Sequence, residues 1–265
     1  MSPLDVGILI VGNEILDGVV LDTNSNWLVR RLRALALHIR EFITVRDEVP
    51  EIAKALRRMV EDGCDLIITT GGLGPTHDDK TLRGVAAAFN LPLELNKEAL
   101  GIVERQYRTF YERGVIRTSE ITEARRKMAL LPRGARPLDN RVGSAPGVLL
   151  EMSGATIICL PGVPAELKWI FENEVLGILK ERVKGLMRER ILSLPAGDES
   201  TLSPIIDEVM AQVPGVYIKS MVQPYAGKGH IRLWISAYGD TEDEVEGRIS
   251  RAVEKLMRKL REGTQ

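Results

Sequence analysis

The segment from Asp65 to Thr81 constrains the fold of this chain most, because it joins a strand-like run to a glycine turn and a helix start. It reads D-L-I-I-T-T-G-G-L-G-P-T-H-D-D-K-T, in which Leu66–Thr70 is an apolar, β-branched run typical of a strand buried on both faces. The glycines that follow permit positive φ and carry no Cβ that would keep a ligand away from the backbone amides. A helix is predicted to begin right after Thr76, because Thr81–Phe89 is rich in alanine and leucine, so the segment has the local geometry that binds phosphate.

Two adjacent carboxylates, Asp78 and Asp79, stand where a plain phosphate loop would carry lysine. Carboxylates beside a phosphate site suggest a bridging divalent metal, or hydroxyls and ring nitrogens that the site recognises. The alternative is structural, since Thr76 followed by Asp79 is nearly a capping box and acids in a first turn suit the helix dipole. Capping explains the threonine and one carboxylate but not the glycines and Pro75, so the functional interpretation is favoured.

Strands alternate with helices over the first two thirds of the chain. Buried strands are predicted at Val6–Val11, Ile39–Val45 and Leu66–Thr70, separated by helices of about 12–15 residues. This order indicates right-handed βαβ units and a parallel, doubly wound sheet. Further helices are predicted over Asn96–Arg113, Ser119–Leu131 and Ala165–Val183, and a strand pair over Gly147–Glu151 and Thr156–Leu160.

The sequence changes in character after residue 184, which predicts one domain over residues 1–184 and a second, smaller α+β domain over residues 185–265. The smaller domain has the order β-α-β-β-α, with elements predicted at Arg190–Leu194, Glu199–Gln212, Val216–Val222, His230–Ala237 and Glu242–Leu260. Gly227–Gly229 is predicted to form the hairpin turn between its last two strands. Because this segment has no cluster of acids, histidines and cysteines, it is interpreted as a partner-binding or dimerising module, and a homodimer is expected.

The composition is that of a globular, soluble protein, with 44% hydrophobic and 28% charged residues. No apolar run approaches the length of a membrane span, and no signal peptide is evident at the start, so the cytoplasm is the expected location. Cys64 and Cys159 are interpreted as buried core thiols, and a structural zinc site is not expected. A net charge of −1 argues against nucleic acid as the main partner.

Several polar loops follow predicted strand ends, and the carboxyl ends of parallel strands meet at one edge of a sheet. Three of these loops should therefore converge on one crevice, which brings together Glu14, Asp47, Asp78 and Asp79. A fourth loop, Pro161–Glu166, also follows a strand. Converging carboxylates beside a phosphate cradle suit an ion of the Mg²⁺ type, which takes oxygen ligands and retains waters.

Five motifs occur in an order that resembles the competence-damage-inducible protein CinA over about residues 4–180. They are V-G-N-E-I-L-D-G (Val11–Gly18), D-T-N (Asp22–Asn24), T-G-G-L-G-P-T-H-D-D-K-T (Thr70–Thr81), V-G-S-A-P-G (Val142–Gly147) and L-P-G-V-P-A-E-L-K (Leu160–Lys168). The match is to the N-terminal, molybdopterin-binding-like domain of that family. It implies a three-layer α/β/α fold of the MogA/MoaB type, and it implies metal-dependent hydrolysis of the pyrophosphate in ADP-ribose.

The resemblance also implies roles for individual residues. Asp47 and Asp79 would contact a polar ring or a ribose, and the phosphates would lie on Gly71–Gly74. The motif match does not distinguish the acids, so the next assignment comes from the predicted crevice and not from the resemblance: Asp78 and Glu14 are expected to bind the metal, which is Mg²⁺, Mn²⁺, Co²⁺ or Ni²⁺, or to activate the attacking water. Asp78, Asp79 and Glu14 are the predicted catalytic residues. Further substrate contacts are expected from Gly12, Asn13, Asn24, Thr70, Gly72, Leu73, Pro75, Thr76, Lys80, Thr81, Ser144, Pro146, Gly147, Pro161, Gly162 and Glu166.

The C-terminal segment is similar to the KH-type module of CinA, including the G-D-E-S stretch Gly197–Ser200. KH domains bind nucleic acid through a G-x-x-G loop between helices. The glycines nearby, Gly227 and Gly229, belong to the predicted hairpin, so RNA binding is not implied. Full-length CinA continues into an amidohydrolase domain, whereas this sequence ends at Gln265, so deamidase activity is not expected.

Three functions therefore compete. The first is metal-dependent hydrolysis of ADP-ribose, or of a similar nucleotide diphosphate, to AMP and ribose phosphate. The second is binding or adenylylation of molybdopterin, in which the same loop would hold the phosphate of the pterin. The third is a non-enzymatic nucleotide-binding protein in which the carboxylates only cap a helix.

Overall fold

The computed structural model describes residues 4–152, 154–183, 185–195, 199–221 and 230–262. The chain divides into two compact units, one made of Met1–Leu32 and Leu37–Val183, the other of Arg33–Ala36 and Lys184–Gln265. Each unit has its own hydrophobic core. Independent folding of residues 1–184 and 185–265 as domains stays a prediction.

The elements up to residue 183 alternate between strands and helices. The strands are β1 (Asp5–Val11), β2 (His38–Val45), β3 (Leu66–Thr70), β4 (Leu93–Leu95), β5 (Leu130–Pro132), β6 (Arg136–Leu138), β7 (Gly147–Met152) and β8 (Ala155–Leu160). The helices are α1 (Asn13–Leu16), α2 (Asn24–Ala34), α3 (Val49–Glu61), α4 (Thr81–Ala88), α5 (Lys97–Glu112), α6 (Glu123–Lys127), α7 (Pro164–Ile170) and α8 (Leu176–Arg182). A π-helical turn at Phe171–Val175 interrupts the helix that was predicted to run unbroken from Ala165 to Val183.

A six-stranded sheet with the order β2-β1-β3-β8-β7-β6 is the centre of the first unit. The pairs β1–β2, β1–β3 and β3–β8 are parallel, and the pairs β7–β8 and β6–β7 are antiparallel. All five residues of β3 are buried, as the apolar run predicts for a strand covered on both faces. The predicted three-layer α/β/α fold with a mostly parallel sheet is thereby confirmed.

Two further sequence predictions have clear outcomes in this unit. Cys64 and Cys159 are each 1% exposed, as expected for core thiols, and burial raises the pKa of each to about 11. The helix predicted over Ser119–Leu131 is wrong, because only Glu123–Lys127 is helical. Leu130–Pro132 instead pairs antiparallel with β4, and proline at its end has no N–H with which to continue a helix.

The second unit is a three-stranded antiparallel sheet with two helices. Its strands are β9 (Leu186–Pro195), β10 (Val216–Met221) and β11 (His230–Gly239), in the order β10-β11-β9, and its helices are α9 (Glu199–Gln212) and α10 (Glu242–Glu262). This is the predicted β-α-β-β-α order. The predicted turn at Gly227–Gly229 and residues Gly197 and Asp198 of the G-D-E-S stretch lie outside the described residues. Within the described ranges, no helix is both long and apolar enough to span a bilayer.

Candidate functional site

The glycine turn after β3 has a conformation that excludes other residues. Gly71 has φ +96° and Gly72 has φ +66°, both in the left-handed region. A Cβ on Gly71 would come within 3.0 Å of the Val11 carbonyl oxygen, which belongs to the neighbouring strand β1. The turn therefore lies directly against the end of β1, with no side chain between the two backbones.

Thr81, the first residue of α4, fixes this turn from inside. Its Oγ1 donates to the carbonyl oxygen of Gly71 at 2.8 Å, and its backbone N–H donates to that of Gly72 at 3.1 Å. Thr81 is fully buried and supports the turn, and its contact with substrate stays a prediction. Gly147 is closely packed, because a Cβ there would lie 3.0 Å from Ile170 and 3.2 Å from Leu138, and its contact with substrate likewise stays a prediction.

Thr76 holds both aspartates of the loop. The carboxylate of Asp79 accepts from the backbone N–H of Thr76 at 2.8 Å and from its Oγ1, and the carboxylate of Asp78 also accepts from that Oγ1. The hydrogen bond from Thr76 lowers the pKa of Asp78, so this exposed group is a carboxylate at neutral pH. These contacts close a turn over residues 76–79, whereas α4 begins later, at Thr81. The pair therefore shapes the loop and does not cap α4.

Asp47 links the loops that follow β1 and β2. Its Oδ2 accepts from the backbone N–H of Asn13 at 2.8 Å, which ties the loop after β2 to the loop after β1. Asp47 is only 9% exposed. Burial is the main cause that raises its pKa, and the negative charges of Glu14, Asp78 and Asp79 raise it further. Asp47 is thus near enough to the other three acids for their charges to act on it.

The raised pKa of Asp47 makes a prediction about stability. A carboxyl group whose pKa is raised by folding stabilises the fold while it is protonated, and that contribution is lost as the pH rises through the folded-state pKa. Asp47→Asn removes the charge and keeps an acceptor for Asn13 N–H. At about pH 7 we expect the variant to melt at a higher temperature than the native protein. At about pH 4, close to the ordinary aspartate pKa of 3.8, we expect no such difference. An equal shift at both pH values in thermal unfolding would contradict this.

Lys127 lies beside the glycine turn. Its Nζ donates to the carbonyl oxygen of Thr76, and its side chain shares a pocket wall with Gly72, Gly74 and Asp79. Burial lowers its pKa, and the charges of Asp79 and Asp78 act in the opposite direction. Lys127 is the last residue of α6, so the chain leaves the helix beside the loop.

A buried asparagine, Asn140, organises the loop between β6 and β7. Its Nδ2 donates to the carbonyl oxygen of Ala145 at 2.7 Å and to Glu166 Oε2 at 2.8 Å. Its Oδ1 accepts from the backbone N–H groups of Val142 and Gly143 at 3.0 and 2.9 Å. Burial raises the pKa of Glu166, whose carboxyl group lies so close to Gly143 that a Cβ there would clash. Sequence reasoning missed Asn140, although an asparagine at the start of a glycine loop is a turn signal.

Asn24 and Gly162 join the end of β8 to the same edge of the sheet. Asn24 Nδ2 donates to the carbonyl oxygen of Gly162 at 2.7 Å, and a Cβ on Gly162 would lie 3.4 Å from the Cα of Gly71. Asp22 Oδ1 accepts from Ser25 N–H at 3.0 Å at the start of α2. The loops after β1, β2, β3 and β8 therefore meet around the glycine turn.

The other predicted residues are placed as follows. The backbone N–H of Gly12 donates to the Val45 carbonyl oxygen at 3.2 Å, and Ser144 is half-buried with its Oγ 3.9 Å from Met128 Sδ. Among the remaining residues, Thr70, Leu73, Pro146 and Pro161 are buried, and Pro75 and Lys80 are half-buried. Within the part of the chain that the structure describes, no three His, Cys, Asp or Glu residues are grouped so as to hold a metal ion.

Comparison with known proteins shows relatives of matching length. A protein of Aeropyrum pernix is 40% identical over 257 residues, covering 96% of this chain and 93% of that one. Protein PH0439 of Pyrococcus horikoshii is 37% identical over 256 residues, covering 97% of each chain. The crystal structure of the protein CinA, with unknown function, from Thermoplasma acidophilum is 32% identical with a TM-score of 0.61. That match covers 67% of this chain and 99% of the CinA chain.

The family match covers the unit that carries the site. The model described as Probable molybdopterin binding domain matches residues 7–181, which include every loop around the glycine turn. The resemblance to the N-terminal domain of CinA, drawn from five motifs, is confirmed by the same range and by the CinA structure. The likeness of residues 185–265 to a KH-type module stays a prediction. The chain belongs to the molybdopterin-binding-domain family and is a CinA-like member of it.

Proposed function

We propose that the first unit binds a phosphorylated pterin of the molybdopterin type, with the phosphate on the turn Gly71–Gly74; the N–H of Gly71 donates to the Leu160 carbonyl oxygen at 3.0 Å, so the amides that face the phosphate are those of Gly72–Gly74. The observation that carries this proposal is the glycine turn, in which two successive glycines with positive φ lie between a buried strand and a helix N-terminus. Backbone N–H groups and the helix dipole favour an anion at such a place. Lys127, beside the turn, supplies a positive charge.

The carboxylates beside the turn suit the other end of such a ligand. A pterin ring carries N–H donors, and an ionised carboxylate accepts hydrogen bonds and donates none. Asp47 and Asp79 follow different strands, and the negative charge of Asp79 helps to raise the pKa of Asp47, which supports placing the ring near both. Each already accepts one backbone N–H, which fixes its orientation towards a ligand.

Lys127 provides the test of phosphate binding. Lys127→Met removes the charge and keeps most of the apolar stem, so affinity for neopterin monophosphate should fall about tenfold, the worth of one moderately strong charged contact. Affinity for unphosphorylated neopterin should not change. Lys54→Met is the matched control, because Lys54 is exposed on α3. Isothermal titration calorimetry measures all three proteins, and equal losses for both ligands would contradict the assignment of the phosphate.

Metal-dependent hydrolysis of ADP-ribose is the second candidate, favoured by the gathering of Glu14, Asp47, Asp78 and Asp79 next to the turn. No ready-made group of three ligands occurs in the described ranges. A divalent ion in this function would therefore take ligands from the substrate's phosphates as well as from one or two carboxylates, as Mg²⁺ commonly does. Such an ion would polarise a phosphoryl oxygen.

The second candidate is tested by incubating the protein with ADP-ribose and Mg²⁺, Mn²⁺, Co²⁺ or Ni²⁺. Formation of AMP and ribose phosphate that is lost in Asp78→Asn supports hydrolysis, and no product with any of these ions counts against it. If Asp78→Asn and Asp79→Asn leave activity and ligand affinity unchanged, the two carboxylates only shape the turn around Thr76.

A homodimer also stays a prediction, which light scattering on the purified protein checks.

A further inference from the structure

The outer edge of β10, in the second unit, has no neighbouring strand among the described residues. The sheet order β10-β11-β9 places β10 at one side, where it pairs with β11 only. In an antiparallel pair, successive residues point their N–H and C=O groups alternately towards and away from the neighbouring strand. The Gly215 carbonyl oxygen accepts from Tyr238 N–H of β11 at 3.2 Å, so Gly215 faces β11. Ile218, three positions later, therefore points its N–H and C=O outward.

The backbone N–H of Ile218 agrees with this direction and has a poor acceptor. It donates to Met210 Sδ of α9 at 3.4 Å. A thioether sulfur accepts hydrogen bonds only weakly, and a methionine side chain is flexible enough to move aside. A carbonyl oxygen of an added strand would therefore make a stronger hydrogen bond to this N–H than the sulfur does.

A groove of about 610 Å³ lies along the same edge. Its walls include Ser203, Asp207 and Met210 of α9 and the stretch Tyr217–Ser220 of β10. Neighbouring strands in a sheet lie about 4.7–4.9 Å apart, so a strand added to β10 would enter this groove. The groove thus leaves space for backbone pairing at Ile218.

The other edge of this sheet, β9, is protected by charge. It carries Arg188, Glu189 and Arg190 in succession, and both arginines form ion pairs with acids of α10. Charged side chains on an edge strand discourage pairing with another strand. β10 reads V-Y-I-K-S-M and carries one charged residue, Lys219. Of the two edges, β10 is therefore the one suited to strand pairing.

Tyr217 and Lys219 project from β10 on the face of the sheet that is turned away from the core. Tyr217 is 49% exposed, and its ring packs edge-on against that of Trp234, with the ring centroids 5.9 Å apart. Lys219 is exposed on the same face, and its ammonium group has no ion pair among the described residues. The strand therefore presents an oriented aromatic ring and an unpaired cation two positions apart, which are partners for a cation–π contact.

We infer that β10 pairs antiparallel with β10 of a second copy of this chain, about a two-fold axis at Ile218. In this register Tyr217 lies opposite Lys219 of the second copy, and the two-fold axis repeats the contact. The two Ile218 residues exchange N–H···O=C hydrogen bonds. An axis at Lys219 would instead set two like charges opposite each other, which is unfavourable. A second copy is favoured over an unrelated strand because one edge supplies both members of each pair, and the inference is independent of the ligand proposed above.

Disulfide cross-linking between two variants of the full chain tests the register. Tyr217→Cys and Lys219→Cys are purified separately, mixed and oxidised. Positions 217 and 219 of the two copies would form a non-hydrogen-bonded pair with Cα atoms about 4.5 Å apart, which a disulfide can bridge. We expect covalent dimer in the mixture and none in either variant alone, where the added cysteines would lie about 7–8 Å apart. The native Cys64 and Cys159 are buried and do not compete.

Ile191→Cys is the matched control for cross-linking. Ile191 and Lys219 both pair with Trp234, from opposite sides, and Ile191 is 51% exposed on β9. A mixture of Ile191→Cys with Lys219→Cys should give no covalent dimer, and equal linking in both mixtures would show random collision and overturn the inference. Covalent dimer from Tyr217→Cys alone would overturn this register, and none in the first mixture would overturn the interface.

An exchange of charges measures the same contact without a disulfide. Tyr217→Lys sets lysine opposite lysine twice in each dimer, so we expect the dissociation constant of the dimer, from sedimentation equilibrium, to rise on the order of tenfold. Lys219→Glu added in the same chain sets an acid opposite each new lysine and should restore the native value. An unchanged constant in Tyr217→Lys, or a double variant that does not recover, would contradict the pairing of Tyr217 with Lys219.

Discussion

Replacing Gly71 by alanine is expected to destabilise the first unit by more than about 3 kcal/mol, and in the limit to prevent folding. Two costs add at this position. An alanine at φ +96° has an unfavourable backbone conformation, worth about 1–2 kcal/mol. Its Cβ would also come within 3.0 Å of the backbone carbonyl oxygen of Val11, which cannot move without displacing β1. Urea unfolding followed by circular dichroism measures the loss.

Gly154→Ala is the matched control for this prediction. Gly154 has φ +99°, almost the same as Gly71, but no described atom outside its chain neighbours lies within 4 Å of the position that its Cβ would take. The control should therefore cost only the conformational part, about 1–2 kcal/mol. Equal losses in the two variants would mean that the glycine turn does not lie against β1 as described.

Replacing Asn140 by alanine is expected to cost roughly 2–4 kcal/mol and to loosen the loop between β6 and β7. The side chain is fully buried and makes four hydrogen bonds. Without it, the carbonyl oxygen of Ala145 and the N–H groups of Val142 and Gly143 lose these partners inside the protein. Glu166 loses the donor that faces its carboxylate. Hydrogen exchange of the Val142 and Gly143 amides should accelerate by roughly 30- to 1000-fold as the loop opens, the factor that corresponds to about 2–4 kcal/mol.

Asn173→Ala is the control for the loop. Asn173 is exposed and makes one hydrogen bond, from its Nδ2 to the Trp169 carbonyl oxygen at 2.8 Å. A surface substitution of this kind changes stability by about 0.5 kcal/mol or less. If Asn140→Ala costs no more than Asn173→Ala, then the buried hydrogen bonds of the loop contribute little and Glu166 is held by other contacts.

Local patterns explain why the centre of the fold was predictable from the sequence. The apolar run of β3 and the glycines after it follow from backbone chemistry over a few residues, whereas α4 begins at Thr81 and not right after Thr76 as predicted, because residues 76–79 close a turn around Thr76. The meeting of the strand-end loops follows from a topological rule for parallel sheets. The pairing of β4 with β5 was missed, because Leu130–Pro132 continues a helical pattern in the sequence. It is a strand only because it pairs with β4, in which Leu95, the partner of Leu130, lies 35 residues earlier in the chain.

Side-chain roles that depend on distant partners were not predictable. Lys127 lies beside the turn because the chain leaves α6 early, and Asn140 is important because Glu166 and the loop amides converge on it. Thr81 looks like a ligand residue in the motif, yet its hydroxyl is used by the Gly71 carbonyl oxygen. The unpaired Oδ1 of Asn24 is likewise a property of three-dimensional packing, whereas the sequence shows only an asparagine at a helix start.

A crystal structure of the protein with neopterin monophosphate, and a second with ADP-ribose, would show most directly where a ligand's phosphate lies. We expect phosphate oxygens about 2.7–3.2 Å from the amide nitrogens of Gly72–Gly74, with Lys127 nearby and the ring on the side of Asp47 and Asp79. Phosphate bound away from the glycine turn in both structures would contradict the assignment of this loop as the anion site.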